Sequence, residues 1–475
     1  MSELPLPVEA GGSRSTAGPA EAAVPAVRLG RLRSQPFLQP LTDRDYRIFW
    51  GGESISVLGD QFHFVALAWL VLQVTGSGLA LGTVLTAAAI PRGILMLVGG
   101  AIADRVQPKA LIFRSNALRA LVVGIVAALI ISQRVELWQL IVMAVLFGAV
   151  DAFFFPAVST FLPLLVPSER LPAANGLFQA TTQLIGLIGP AAAGITVALI
   201  GTGLAFVLDA TSFAVAAIAI TLVHGGLRAA ARASGTGHEG SDAAEVTAAS
   251  NHVAASAADA EVAAEPDPSV WRSIREGASY TFRDPALRTL IILAAALNFA
   301  FTGPISVGLP WLADNRFDAG AAGFGIMVSG FGAGALIGAV VAGSIRAFRH
   351  RGAVLLGIAG LLGVGLALIG LAPSVAVVTG LMLAMGLGVG FINVIVVTWV
   401  QQRTETAILG RVMSLMMMAS VGLAPFSLVL SGALIDVQPT LVFVASGVLI
   451  LVAVGLGVLW RADRVLANVP EPAAT

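Results

Sequence analysis

Long apolar segments alternate with short polar connections from Ile48 to Trp460. Each segment can cross a bilayer, since a crossing helix needs about 20 predominantly apolar residues. Twelve spans are predicted, at residues 48–73, 79–102, 110–132, 137–162, 174–200, 203–224, 288–312, 321–345, 352–372, 375–400, 411–436 and 440–460. Backbone polar groups in lipid must be satisfied internally, so the spans are predicted to be helices. The chain is therefore expected to be an all-α polytopic membrane protein.

The spans form two related halves, because adding 242 or 243 to a residue number in the first half finds a similar residue in the second. The matched pairs are Trp69 with Trp311, Gly82 with Gly325, Gly100 with Gly343, Gly148 with Gly390 and Asp151 with Asn393. Such repeats are typical of transporters in which two bundles rock around a central site. We predict two six-helix bundles, residues 48–224 and 288–460, related by a pseudo-two-fold axis.

Composition and charge support a membrane protein with a defined orientation. Hydrophobic residues make up 57% of the chain and charged residues 11%, against about 25% charged in globular proteins. Arginine and lysine are concentrated in alternate connections, and the other connections contain only Arg134 and Arg316. The positive-inside rule then predicts a plasma or inner membrane protein with both termini in the cytoplasm.

The segments outside the spans are polar. Residues 1–47 and 461–475 are predicted to be cytoplasmic tails, the first of them disordered. The central loop, residues 225–287, begins with an Ala/Ser/Gly-rich acidic stretch at 229–268 that is predicted to be disordered. A helical period at 270–283 predicts an amphipathic helix that lies on the membrane surface or packs on the bundle.

The loop after the second span resembles the signature loop of the major facilitator superfamily, Gly-x-x-x-Asp-Arg-x-Gly-Arg-Lys/Arg. The matching residues are Gly100, Asp104, Arg105 and Lys109, whereas Gln107 and Pro108 replace the usual glycine and arginine. The resemblance implies the twelve-helix major facilitator fold and a loop that latches the cytoplasmic side. A loop whose charges only set the topology is the alternative.

The fifth span contains a glycine–proline motif, at Gly186, Gly189, Pro190 and Gly194. It looks like the motif of exporters and antiporters in the same superfamily, although Ala193 stands where a second glycine is usual. Proline removes a helix hydrogen bond and glycine permits bending, so a bend is expected here. A kink that serves packing alone is the other interpretation.

Further segments are similar to the branch of macrolide-efflux permeases and enterobactin exporters. They are Leu58-Gly59-Asp60, Phe155-Pro156-Ala157, the run from Leu208 to Phe213, and Arg283-Asp284-Pro285. This resemblance implies outward movement of an organic molecule, driven by the proton gradient.

Ionisable residues inside spans are costly and mark functional sites. Asp60 lies 12 residues into the first span and Arg92 lies 12 residues before Asp104, so both are about 18 Å from the cytoplasmic end. We predict that they pair, for proton coupling or as a structural salt bridge. Glu53 is expected to be an entry acid or interfacial, and Asp209 a structural acid near the outer face.

Asp151 and its repeat partner Asn393 both fall mid-span and are predicted to face a shared central cavity. Asp151 would be the titrating group of this cavity and Asn393 its neutral counterpart, or both would bond between helices. Weaker candidates for the cavity lining are Gln179, Gln183 and Asn298. With Asp60 and Arg92, Asp151 completes the set of proton-coupling candidates.

The sequence predicts a monomeric secondary transporter that exports a small amphipathic organic compound by alternating access, with protons as coupling ion. An importer of a small nutrient is the first alternative, and a non-transporting interaction protein that acts through the acidic loop is the second. The chain has no cysteine, five scattered histidines and no Walker sequence. We therefore expect no metal, no cofactor, no nucleic-acid partner and no enzymatic activity.

Overall fold

The computed structural model describes residues 36–103, 106–224, 279, 281–345, 351–404, 412–413, 415–416, 418–419 and 422–459. All regular elements in these ranges are helical. In the first half they are α1 Arg44–Thr75, α2 Gly78–Ala103, α3 Pro108–Ile131, α4 Leu137–Phe161 and the run Leu171–Thr221. In the second half they are α7 Pro285–Asn315, α8 Gly320–Ser344, α9 Arg351–Ile369, α10 Val375–Arg403, α11 Ala424–Ile435 and α12 Pro439–Leu459.

The run Leu171–Thr221 contains two spans. Its 51 residues would extend roughly 75 Å at 1.5 Å per residue, more than twice the thickness of the apolar core of a bilayer. The chain leaves helical geometry at Gly201, where φ is 85° and ψ is 165°, a region that glycine enters without a steric penalty. We call residues 171–200 α5 and residues 202–221 α6. Among the described residues this makes eleven helices long and apolar enough to cross a membrane, and the shorter α11 stands at the place of the eleventh predicted span.

Two boundaries differ from the sequence prediction. The Asp284 side chain accepts a hydrogen bond from the backbone N–H of Ala286 at 2.8 Å, so α7 begins at Pro285 rather than at residue 288. The tail is helical from Pro36 to Thr42, and Asp43 pairs with Arg170 at 3.0 Å. The prediction of disorder up to residue 47 is therefore wrong for residues 36–47, because they pack against the start of α5. The segments 229–268 and 461–475, and nearly all of 270–283, lie outside the described residues.

Equivalent pairs of helices are in contact in the two halves. In the first half α1 contacts α5 and α6, α2 contacts α4, and α3 contacts α6. In the second half α7 contacts α11 and α12, α8 contacts α10, and α9 contacts α12. The halves meet where α2 contacts α11 and where α8 contacts α5. This repeated pattern confirms the pseudo-two-fold arrangement of two bundles.

The repeat has a different register in α4 and α10 from the one that the sequence motif indicates. In the first half, Gly148 of α4 approaches Ala88 of α2. An offset of 243 relates α2 to α8, so the counterpart of Ala88 is Phe331. The glycine of α10 that approaches Phe331 is Gly386. Gly386 is therefore the counterpart of Gly148, and that of Asp151 is Val389. The shift arises in α9, which has 19 residues where α3 has 24. The predicted equivalence of Asp151 with Asn393 is wrong by about one helical turn.

Two names for the ends of the bundles are used below. The far end carries the connections at residues 76–77, 132–136, 316–319, 370–374 and 436–438, together with Gly201. The near end is the opposite one, where α1 begins and α12 ends. Between the ends the outward faces are apolar, and Leu199, for example, is 78% exposed, as expected of a surface that lipid covers.

Candidate functional site: a buried charge cluster in the first bundle

Ionisable residues inside the membrane are confined to one half of the protein. The first bundle contains Glu53, Asp60 and His63 on α1, Arg92 on α2, Arg119 on α3, Asp151 on α4 and Asp209 on α6. In the second half, residues 289–313, 320–344, 352–402, 412–435 and 437–460 contain no Asp, Glu, Lys, Arg or His. Since such residues mark functional sites in membranes, charge-dependent chemistry belongs to the first bundle.

Asp151 joins two arginines. Its Oδ1 accepts a hydrogen bond from Nη2 of Arg119, and its Oδ2 lies 2.9 Å from Nε of Arg92. The Arg119 side chain is fully buried, whereas that of Arg92 is 56% exposed. The prediction that Arg92 pairs with Asp60 is therefore wrong. The cause is the packing of α2 on α4, which brings Arg92 to Asp151.

Arg119 is held in an aromatic cage that sequence reasoning missed. Its Cζ lies 5.3, 4.4 and 5.5 Å from the ring centroids of Phe147, Phe154 and Phe213, within the range of cation–π attraction. Its Nε and Nη1 are buried and have no hydrogen-bond partner among the described residues. Counting residues from the end of the span, as for Asp60, also places Arg119 about 16 Å inside α3, so this signal could have identified it.

A histidine–carboxylate pair lies on the other side of the cage. His63 Nδ1 is 3.0 Å from Oδ2 of Asp209, whose side chain is fully buried. The imidazole stacks on Phe147 with centroids 4.2 Å apart and meets the edge of Phe206 at 5.8 Å. Asp209 lies eight residues after Gly201 at the far end and reaches into the bundle towards α1, so its expected position near the outer face stays a prediction.

The two remaining acids differ in their partners. Oε1 of Glu53 accepts a hydrogen bond from Nδ2 of Asn116 at 3.1 Å, and Oε2 has no partner among the described residues. Glu53 is 1% exposed, so it is not interfacial. Asp60 lies between Glu53 and His63 along α1, within electrostatic range of Arg119, Asp151 and Asp209.

The predicted lining residues divide by position. Gln179 and Gln183 are exposed and share the face of α5 that meets α8 at Pro190, on the side where the two bundles approach each other. Asn393 is exposed on the side of α10 that approaches α8. Asn298 instead donates to the carbonyl of Ala294 in its own helix at 2.9 Å.

The glycine–proline motif forms a contact between the bundles. A Cβ at Gly325 of α8 would overlap the carbonyl oxygen of Pro190, one at Gly332 that of Gly186, and one at Gly194 that of Ala321. The N–H of Ala191 donates across the contact to Oγ of Ser329 at 2.9 Å. The motif was predicted to bend α5, but the dihedral angles stay helical through Pro190 and become non-helical at Gly201. Gly189 faces Gln61 of α1.

At the far end, an acidic side chain fastens the second bundle to the first. The Asp436 carboxylate, at the end of α11, accepts from the N–H groups of Gly78 and Leu79 at 2.8 and 3.3 Å. Oγ of Ser77 donates to it at 2.9 Å. A carboxylate at a helix N-terminus satisfies free N–H groups and interacts favourably with the helix dipole. Asp436 is therefore a cap on α2 supplied by the other bundle.

Asp436→Ala should favour opening at the far end by about 0.5–2 kcal/mol, the usual loss for a carboxylate cap. Because the chain has no cysteine, spin labels at Gln133→Cys and Leu371→Cys, one in each bundle, would report the separation there. We expect a larger population of long distances in Asp436→Ala than in the matched variant of exposed Asp314→Ala. Identical distance distributions would rule out the cap as a link between the bundles.

Residues 49–426 match the family described as Major Facilitator Superfamily, with a second match at 292–474. The chain belongs to the major facilitator superfamily. It is similar to the multidrug efflux pump Tap of Mycolicibacterium fortuitum, 27% identical over 384 residues, 80% of this chain and 86% of that protein. It is also similar to macrolide efflux protein A of Streptococcus pyogenes, 20% identical over 389 residues, with coverages of 82% and 88%.

Solved structures of the superfamily share the fold. The nucleoside transporter NupG aligns with a TM-score of 0.61 at 11% identity, over 90% of this chain and all of that chain (100%). A POT family transporter in complex with a thioalcohol-conjugated peptide aligns with a TM-score of 0.59 at 15% identity, over 89% of this chain and 96% of that chain. This chain is accordingly a multi-pass membrane transporter of the superfamily.

The signature loop of the superfamily is described only in part. Asp104 and Arg105 lie outside the described residues, and Gly100 belongs to the last turns of α2. Lys109 Nζ donates to the carbonyls of Thr221 and Val223, where α6 ends. A lysine in this position satisfies free carbonyls and complements the negative end of the helix dipole. Lys109 therefore ties the start of α3 to the end of α6.

Proposed function

We propose that this transporter exports a small amphipathic organic compound, such as a drug, a macrolide-like antibiotic or a siderophore-like metabolite, by proton antiport. Both termini would lie in the cytoplasm, so the near end is the cytoplasmic one and the far end the external one. The observation that carries the proposal is the bridge from buried Arg119 through Asp151 to exposed Arg92. In this proposal, exposed Arg92 would link the interior of the first bundle to a cleft between the bundles.

We infer a coupling step from the bridge. While Asp151 is ionised, it holds Arg92 against α4. A proton on Asp151 would remove the charge that holds Arg92, and the guanidinium would turn towards the cleft and any compound there. Gln179, Gln183 and Asn393 would supply the few polar groups of an otherwise apolar binding surface.

Charge balance supports proton uptake by the cluster. Four carboxylates, two guanidiniums and one imidazole lie together in the first bundle. With every acid ionised, the acids would exceed the arginines in a medium of low dielectric constant, where uncompensated charge is expensive. Protons that enter from outside would restore neutrality, and their release inside would restore the bridge.

The direction of transport rests on the relatives rather than on the fold, which nucleoside and peptide transporters share. The names of the two relatives above denote efflux, and the glycine–proline motif lies at the contact between the bundles. Both favour an exporter over an importer. A non-transporting partner protein would have no use for a charged bridge inside the membrane.

Asp151→Asn tests the coupling step. In inside-out vesicles with an imposed pH gradient, the variant should lose uphill accumulation of a macrolide by tenfold or more, yet retain downhill exchange. Asn393→Ala should instead change which compounds of a drug panel are moved, with proton dependence kept. Uphill pumping by Asp151→Asn at wild-type abundance would contradict the role of Asp151, and insensitivity of the wild type to a protonophore would contradict antiport itself.

A further inference from the structure

We infer that the His63–Asp209 pair is a second proton-binding site, placed nearer the far end than Asp151 and separate from the compound-binding cleft. The inference rests on the proposed antiport. The bridge of Arg92, Asp151 and Arg119 does not include this pair, which is nonetheless buried and hydrogen-bonded at 3.0 Å. Ionisable side chains buried inside a membrane are energetically costly and are therefore candidates for a function, and here that function is proton binding.

The position of the pair suits access from the far end. His63 is twelve residues before the end of α1 at Thr75, and Asp209 is eight residues after Gly201, about 18 and 12 Å from that end. Asp151 is fourteen residues from the start of α4, about 21 Å deep by the same measure. A proton entering from outside would thus reach the histidine pair before the bridge.

The titratable residues of α1 form a row inside the bundle. Glu53, Asp60 and His63 are spaced by seven and three residues, so they lie on one side of α1 within roughly 80° of one another. Successive steps are about 10 and 5 Å along the helix axis. The charged groups that face this row are Arg119 of α3, Asp151 of α4 and Asp209 of α6. Asp60 therefore lies between the pair and the bridge, within electrostatic range of both.

The electrostatics of the pair favour one exchangeable proton. With neutral His63, the pair carries the full negative charge of Asp209, while the rings of Phe147 and Phe206 pack on the imidazole. Binding of a proton to the imidazole gives an imidazolium–carboxylate pair with no net charge. Oδ1 of Asp209 has no partner among the described residues, so the carboxylate is incompletely compensated. A proton taken up here neutralises a buried charge, and its release at the other stage of the cycle restores that charge.

The pair is shielded from the cleft by α1 itself. Phe64, the next residue, points about 100° away and meets Phe324 of α8 across the contact between the bundles, with centroids 5.7 Å apart. His63 points to the interior formed by α4 and α6. A compound in the cleft would not touch it, so its replacement should alter proton coupling and leave compound selection unchanged.

The test is the proton-to-substrate ratio in proteoliposomes. Each coupled proton multiplies the attainable accumulation by about ten per pH unit. With Asp151 and His63 both exchanging, the wild type should reach about a hundredfold per pH unit, and His63→Gln about tenfold. Glutamine can still donate to Asp209, which favours folding, and Asp209→Asn should give the same reduction. Exchange without a gradient and the compound profile should stay at the wild-type level.

The outcomes separate the inference from the proposal on which it rests. Abolition of wild-type accumulation by a protonophore, together with unchanged coupling in His63→Gln, would overturn the histidine site alone. Wild-type export that ignores the pH gradient would overturn antiport. If neither variant reaches the membrane, the accumulation reached by the wild type decides. A wild-type accumulation of only about tenfold per pH unit corresponds to one coupled proton and would overturn the second site.

Discussion

Arg119→Met is expected to abolish export and to lower the free energy of unfolding by about 3–5 kcal/mol, the usual effect of breaking one partner of a buried ion pair. The guanidinium is fully buried and supplies the inner half of the bridge to Asp151. Its loss would leave Asp151 with exposed Arg92 alone, and would leave the cage of three phenylalanines without the cation that it surrounds. Thermal unfolding in detergent and vesicle transport would measure the two effects.

A matched control lies five residues earlier on the same helix. Arg114 is exposed, so Arg114→Met should change stability by less than about 0.5 kcal/mol and leave export in place. Replacing both members of a buried pair is less disruptive than replacing one. Arg119→Met combined with Asp151→Asn should therefore recover stability but not transport. Equal effects at Arg114 and Arg119, or additive losses in the double variant, would mean that the bridge is not the stabilising unit.

Gly325→Ala is expected to separate α8 from α5 and to reduce transport severely, with destabilisation of about 1–3 kcal/mol, as for other overpacked sites. The added methyl group would overlap the carbonyl oxygen of Pro190, and backbone atoms cannot turn aside as a side chain can. The second contact between the bundles is similar, since a Cβ at Gly82 would overlap the carbonyl oxygen of Leu428. Gly82→Ala should accordingly have a comparable effect.

Each of these glycines has a control on its own helix. A Cβ at Gly343 on α8 or at Gly93 on α2 would meet no atom within 4 Å. Alanine there should be neutral or stabilise the helix by up to about 1 kcal/mol. Spin-label distances between the bundles and transport rates, compared within each pair of variants, would show whether close backbone contact matters. Retained transport in Gly325→Ala and Gly82→Ala at normal abundance would argue that the contacts are dispensable.

The sequence was sufficient to predict how deep each ionisable residue lies along its span, but not which neighbouring helix its side chain faces. Residue counting gives height along a span, and Asp60, Arg92 and Asp151 all lie inside helices long and apolar enough to cross a membrane. Which acid meets Arg92 depends on helix neighbours, and α2 packs on α4, so Asp151 rather than Asp60 is the partner. The pairing of His63 with Asp209 joins residues 146 positions apart, and no local pattern indicates it.

The repeat predicted the architecture better than it predicted equivalent residues. Trp69 and Trp311, like Gly82 and Gly325, indicated two bundles, and the helix contacts agree. The shorter α9 then moved α10 by about one turn relative to α4, so the resemblance of Gly148 and Asp151 to Gly390 and Asn393 does not reflect equal positions. A shift of one turn preserves the helix face, which explains why the motif pattern concealed it.

The confinement of intramembrane charge to the first bundle has an electrical consequence. A membrane potential does work only on charge that moves through it, about 2.3 kcal/mol per elementary charge per 100 mV. The spans of the second half, which contain no ionisable residues between their ends, would move through the field without such work. Any voltage dependence of the transport cycle would therefore arise from the first bundle and from the ions and compounds that pass along it, while the second bundle acts as an electrically silent counterpart.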